Sequence, residues 1–549
     1  MSIRRAAGST WPGARRSLAI LTSIGAVAMV AGCGGSDGGS AGGTPASGSE
    51  QAASSGAPLR VALSTAPATL DPPSTLQLTD TVSQNFYVRL VKLGTKEDEN
   101  GTTVTDPTKI EPYLATSWKA SEDSRRYEFT LKPGLTFASG EPVDAKAVKF
   151  SFERALGLPI GAAFITNLIP DNIESIQAPS DTRVVIRLRK SDPNALRSYT
   201  TVGASIVDPS VVKSKGDKYL ATHEAGSGPY RMADYRPGTS LVMEARPEYA
   251  EWAGAAPPAN RIEVSFVQSD STLLLEAQSG QADVTIGLSK QGAATLKESG
   301  ARVMVNPTST TEQILLPWNK EPFGDQKVRE AFLLAVPYDA IVEQVASGFA
   351  EPMYGPLAPA FPHADPELTT PLETDVERAK QLIGESGLST PIPVTLTIDQ
   401  GNGIHEQLAT ILQSSWKEIG VDLKIDKLSS ADYAGAVFSY EVQAALRLDG
   451  PALVDPGFYL GYDMACEPPG APQNPAAICL PEADALLAEA RSSTDEEANQ
   501  RRYDEISRIW RAAFPKGILY NDVAATVLSD RVESWRFDYV LDMDGWAVA

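Results

Sequence analysis

Residues 110–156 read IEPYLATSWKASEDSRRYEFTLKPGLTFASGEPVDAKAVKFSFERAL, and they carry more information about the fold than any other stretch. Tyr127, Phe129 and Leu131 alternate with polar residues, the mark of a strand with one buried face. Lys132-Pro133-Gly134 is a turn, after which Leu135 and Phe137 resume the apolar pattern. Asp144 is placed to cap a helix whose apolar face is Ala145, Val148, Phe152 and Ala155. Strand, turn and capped helix in such quick succession indicate a mixed α/β body, with the aromatic residues serving as core.

Upstream, LRVALST from Leu59 reads as a short strand leading into the turn Pro67-Ala68-Thr69-Leu70-Asp71-Pro72. The chain before it is of another kind. Arg4, Arg5, Arg15 and Arg16 precede the apolar run LAILTSIGAVAM (18–29), and Val30-Ala31-Gly32 abuts Cys33. That order is a secretory leader, too short for a membrane span. Cleavage before Cys33 gives a thiol that can be lipidated, so residues 1–32 are expected to be a lipoprotein signal peptide. Arg15-Arg16 leaves open whether export is general secretory or twin-arginine. Residues 33–57 are rich in glycine and serine and lack core-forming side chains, which makes them a flexible tether. The expected location is extracytoplasmic, lipid-anchored at the outer face of the cell membrane, or in the periplasm if an outer membrane exists.

The formal charge is −21, and loss of residues 1–32 removes four arginines and no acid, leaving −25. Such a chain is not built for nucleic acid. Of three cysteines, Cys466 and Cys479 remain once Cys33 is assigned. An isolated close pair in an exported protein reads as a disulfide; a redox pair is normally closer, and a zinc site needs more ligands.

Downstream, strand patterns occupy 173–189, 241–244, 262–266 and 282–286, with a helix at 270–279. From QILLPWN (313–319) onward helices dominate: one capped by Asp325, then 339–346, 375–385 and 404–419, with strands at 394–398 and 421–425 between them. A helix-rich run covers 482–514, and strand-like segments close the chain around Leu519-Tyr520 and Trp535-Arg536-Phe537. The alternation of helix and strand belongs to an α/β lobe. No HExxH, P-loop or G-x-S-x-G occurs, and the three histidines lie in unrelated segments. The expectation is therefore a binding protein, not an enzyme, with no cofactor and no resident metal.

The residues also carry a resemblance. The 110–156 block, GSGPYRM (226–232), PFGDQKVREAF (322–332), YGPLAP (354–359) and AKQLIGESG (379–387) are similar, in this order, to motifs of the family 5 extracellular solute-binding proteins. These are the receptors of oligopeptide, dipeptide and nickel ABC importers. The resemblance implies a two-lobed, periplasmic-binding-protein-like α/β fold with an additional domain in the first lobe. Lobe 1 would comprise 58–95, 195–310 and 510–549, the inserted domain 96–194, and lobe 2 residues 311–509, with the disulfide in lobe 2. The crossings would lie near Pro317-Trp318-Asn319 and Leu519-Tyr520.

The implied function is capture of oligopeptides or dipeptides in an interlobe cleft and delivery to a membrane permease driven by an ATPase, by a monomer. A sugar, opine or metal chelate is the alternative cargo, and a non-transport surface or signalling module the alternative role. In peptide-binding members an aspartate in a "W..D..DP" stretch pairs with the peptide's amino terminus. Here ALRLDGPALVDPGFYLGY (445–462) offers Asp455-Pro456 for the "DP" and Asp449 for the amine-pairing acid, or else Asp449 merely starts a turn. The tryptophan is missing and the spacing is longer. Arg447 stands beside the acid, to neutralise it or to hold a ligand's anion. Trp318 and Tyr520, near the crossings, are candidate cleft residues or core. Pro337 and Tyr338 stand where the family often has aspartate and arginine, altering a helix cap.

Overall fold

Tyr127, Phe129 and Leu131 do turn one face inward: they lie on the strand Arg126–Leu131 and are almost fully buried. That strand sits inside a four-stranded antiparallel sheet, in the order Ala115–Ala120, Arg126–Leu131, Arg183–Leu188, Ile173–Ser180. Asp144 caps the helix Ala145–Leu156 by accepting from the backbone N–H of Lys146 and Ala147. The helix is tied outward by Arg154, 7% exposed, whose guanidinium grips Asp71 at 2.9 and 2.8 Å and Asp217 at 2.8 Å. The proline-aspartate turn read from the sequence is thereby fixed to the 110–156 block.

The computed structural model describes residues 56–549 apart from 75–77, 99–100, 168, 170, 451–452 and 467–473. The expected leader, Cys33 and nearly all of the tether lie outside the described residues. Among those described, no helix is long and apolar enough to cross a membrane.

The dominant element is an 11-stranded sheet. From one edge its order is Val421–Leu428, Ile392–Asp399, Ala444–Asp449, Arg302–Leu315, Gly517–Leu528, Val284–Ile286, Leu59–Leu63, Arg261–Phe266, Ser240–Ala245 and Tyr230–Arg236. The short Ala350–Glu351 pairs on the side of Gly517–Leu528. Three strands concern the site: Arg302–Leu315 (β1), Ala444–Asp449 (β2) and Gly517–Leu528 (β3). β1 and β3 are antiparallel along nearly their whole length and bind the two halves of the sheet together. Their register shifts between Pro307 and Thr311, upstream of the Pro317-Asn319 crossing expected from sequence and opposite Asn521 to Val523.

Apolar packing divides in the same sense. One core is built from residues within 314–520, a second mainly from 88–206, and a third combines 59–87, 207–286 and 528–546. Two lobes sharing one sheet, with the four-stranded unit added, make a two-lobed α/β fold of the periplasmic-binding-protein kind. The GSGPY turn shows why glycine is needed there: a Cβ on Gly226 or Gly228 would sit 1.9 Å from Phe86 O or 2.5 Å from Tyr87 N.

Helices follow the sequence reading closely. Asp325 caps Gln326–Leu334, while Pro337 precedes Tyr338–Gln344 with no side-chain cap. Trp535-Arg536-Phe537 is a correction, because the strand there is Val532–Ser534 and Phe537 makes only an isolated bridge to Val104.

Candidate functional site

Where β2 leaves the middle of the sheet, its pairing becomes one-sided. It lies against β1 from Ala445 to Asp449, but Ile392–Asp399 accompanies it only at Ala444 and Ala445. Beyond that point Leu446–Asp449 has a strand partner on one side alone among the described residues. Tyr433 of the helix Ser430–Phe438 donates its hydroxyl to Leu446 O at this edge. Three large apolar side chains are markedly exposed among the described residues, and two of them, Leu448 (53%) and Phe438 (38%), lie here.

The acid and base read from LRLDG are buried side by side. Arg447 Nη2 donates to Asp449 Oδ1 at 2.6 Å and to the Tyr462 hydroxyl at 2.7 Å. Asp449 Oδ2 accepts from the Tyr459 hydroxyl at 3.2 Å and from Gln313 Nε2 at 3.5 Å. Gln313 Oε1 takes a hydrogen bond from Lys516 Nζ at 2.9 Å, and Lys516 also pairs with Asp463. Two cations and two carboxylates thus form a nearly dry, neutral network anchored on β1, β2, the residue just before β3 and the helix Pro456–Met464. Burial works against the Arg447 charge, yet Asp449, Tyr462 and Asp463 hold its guanidinium above the usual arginine value. Burial pushes the Tyr459 hydroxyl far above the ordinary range, so it stays a donor.

The other expected residues lie elsewhere. Asp455 caps Pro456–Met464 by accepting from Phe458 N at 2.8 Å, and it faces Arg197 at 3.5 Å. Trp318 donates its ring N–H to Pro515 O and lies under the Arg329 guanidinium, 4.1 Å from its ring centre, at the margin of the large core. Tyr520 is 2% exposed and sits opposite Glu312 in the β1–β3 pairing. Glu312 Oε1 lies 3.3 Å from His405 Nε2 with both side chains buried. Burial raises Glu312 above its ordinary value, and His405 partly offsets this.

Gln313, Tyr459, Tyr462, Asp463 and Lys516 were not foreseen. Lys516 did leave a signal: a lone ammonium entering the apolar run GILY needs a buried partner.

A second junction involves the same helix, Pro456–Met464. Phe164, on the helix Pro159–Ile165, stacks on Phe458 with centroids 6.1 Å apart and Leu453 beside them. Arg491 Nη2 donates to Asn167 O at 2.7 Å. To get there it passes over Gly461, where a Cβ would come within 2.8 Å of its Nη1. Pro193, Arg197, His363, Asp455 and Tyr503 help line a cavity of about 90 Å³ at this junction. That is room for about three waters, well below the roughly 300–1,000 Å³ of a small-molecule site. Among the described residues no group of three or more histidine, cysteine or acidic side chains is placed to hold a metal. Cys466 and Cys479 are disulfide-bonded.

Residues 109–470 match the model of the bacterial extracellular solute-binding proteins, family 5 (middle), and the chain belongs to that family. It is the solute-binding component of an ABC importer, a non-catalytic transport receptor, and membership implies a cognate permease and ATPase. It is 29% identical over 450 residues to the probable D,D-dipeptide-binding periplasmic protein DdpA of Escherichia coli (strain K12), covering 81% of this chain and 84% of that one. Among solved structures it resembles the periplasmic binding protein DppA of Helicobacter pylori in complex with the peptide STSA. The TM-score is 0.77 at 20% identity, over 90% of this chain and 98% of that one. NikA of Brucella suis in complex with Fe(III)-EDTA matches with TM-score 0.77 and 20% identity, over 90% and 100% of the two chains.

Proposed function

We propose that this receptor captures peptides or peptide-like solutes beside β2 and hands them to its permease. The observation that carries this reading is the one-sided pairing of Leu446–Asp449. An extended ligand main chain can hydrogen-bond along such an edge as an added strand, with its side chains meeting exposed Leu448 and Phe438. The names of the Escherichia coli relative and of the Helicobacter pylori complex support the same cargo class. A metal chelate is the second reading, favoured by the Fe(III)-EDTA complex of the Brucella suis protein.

In this reading Arg447 and Asp449 end the binding edge, and Asp455 belongs to a contact that closes the lobes. Trp318 and Tyr520 support the core behind the site. Lobe 1 is 58–95, 195–310 and 510–549, lobe 2 is 311–509, and 96–194 is the inserted domain. The register break at Pro307 to Thr311 serves as the hinge. Cys33 carries lipid, and the stretch to Gly56 lets a monomeric receptor reach its permease. Native mass spectrometry of the purified chain tests the cargo: a bound mass identified as a short peptide is expected, and a chelate or sugar in its place sinks the peptide reading.

A further inference from the structure

We propose that Arg447 is the ligand-anchoring charge and takes a carboxylate of the cargo, while Asp449 serves inside the protein and does not receive an amine. The proposal rests on the reading of Leu446–Asp449 as the binding edge. Both oxygens of Asp449 are engaged: Oδ1 by Arg447, Oδ2 by Tyr459 and Gln313. An incoming ammonium would have to displace a charge-assisted bond of 2.6 Å and would add a third cation to a dry network already holding Arg447 and Lys516.

The guanidinium is differently placed. Nη2 serves Asp449 and Tyr462, but Nη1 is buried with no acceptor among the described residues. A buried charged donor without a partner is costly, and a carboxylate is the acceptor that fits a planar guanidinium edge. Phe438 and Tyr462 each have their ring centre 5.5 Å from the guanidinium carbon, which fixes its plane. The guanidinium also lies against Phe438, whose ring is partly exposed and could meet the body of a ligand.

The network has one acceptor without a donor, Asp463 Oδ2. Its side chain is 2% exposed and that of its partner Lys516 is 1%, so it is the less reachable group. The Arg447 side chain, at 10%, is nearer solvent.

The test is calorimetry on the mature chain with trialanine, N-acetyl-trialanine and trialanine amide. N-acetylation is expected to change Kd by less than about threefold, and C-terminal amidation to raise it by about thirtyfold or more. Arg447→Gln should bind acid and amide alike. Arg447→Gln/Asp449→Asn, which removes the buried pair together, should do the same and guards against a single variant that fails to fold. Acetylation costing more than amidation overturns the proposal, and so does an undiminished preference for acid in the double variant. If no form of trialanine binds, the peptide reading is what fails. The solute eluted from the purified chain then decides: one bearing a carboxylate, and lost from the double variant, upholds Arg447, and one without an anionic group overturns it.

Discussion

Asp283 shows how one residue can hold distant parts of the chain together. Its carboxylate is fully buried and accepts from the Arg60 backbone and side chain, from Ser529 and from Arg531. Burial alone would raise its pKa, but these bonds outweigh it and hold the group below the ordinary 3.8. A depressed carboxylate contributes stability above its unfolded pKa and loses it as pH falls through the folded value. Asp283→Asn is therefore expected to cost about 2 kcal/mol at pH 7, with the deficit shrinking steadily below pH ~4. Urea unfolding at both pH values measures it, and a constant deficit would contradict the assignment. The pairing of Asp449 with Arg447 was legible because they stand two residues apart in LRLDG, on one face of a strand. Gln313, and Lys516 behind it, were not, because strand pairing brings them in from far along the chain; Tyr459 was not, because the packing of the helix Pro456–Met464 decides which of its side chains meets Asp449.

At the scale of elements, the disulfide closes the loop leading into the helix Pro481–Arg491. Replacing both cysteines with serine should lower stability by roughly 3 kcal/mol on the loop-entropy estimate, with ligand affinity nearly unchanged. Chemical unfolding and calorimetry on the same variant check both halves of that statement. Helices were the most legible elements, since aspartates 144, 325, 375 and 495 each cap one through their side chains. The hairpin of Val91–Glu97 and Thr103–Pro112 escaped notice. Its sequence is largely polar and contains proline, and part of its stabilisation is non-local: Thr105 N donates to Phe537 O, and Phe537 N donates to Thr103 O. The expected strand at Trp535-Phe537 failed for a related reason. Arg536 there gathers Asp542 and Asp544 at 2.9 and 3.0 Å, which bends the backbone into a loop.

At the scale of the molecule, the junction of Phe164 with Phe458 and of Arg491 with Asn167 joins segments that the proposed domain division assigns to different bodies. Arg491→Ala should raise the ligand dissociation rate about fivefold, equivalent to roughly 1 kcal/mol, and leave the association rate within twofold. Stopped-flow release measures this; an unchanged off-rate would mean the junction does not hold the bound state. The shared sheet bears on biogenesis as well. Leu59–Leu63 pairs with Arg261–Phe266 and with Val284–Ile286, and Val284–Ile286 pairs in turn with β3. Leu528, Val532, Leu541, Met543 and Trp546 fill the core around that first strand. In the nascent chain Leu59–Leu63 thus emerges long before the segments that complete its sheet and its core. Such non-local pairing is slow to form. The first strand must wait, partly folded, until residues 517–546 have been made, so a product interrupted before 517 would leave both halves of the sheet unfinished and open to quality control.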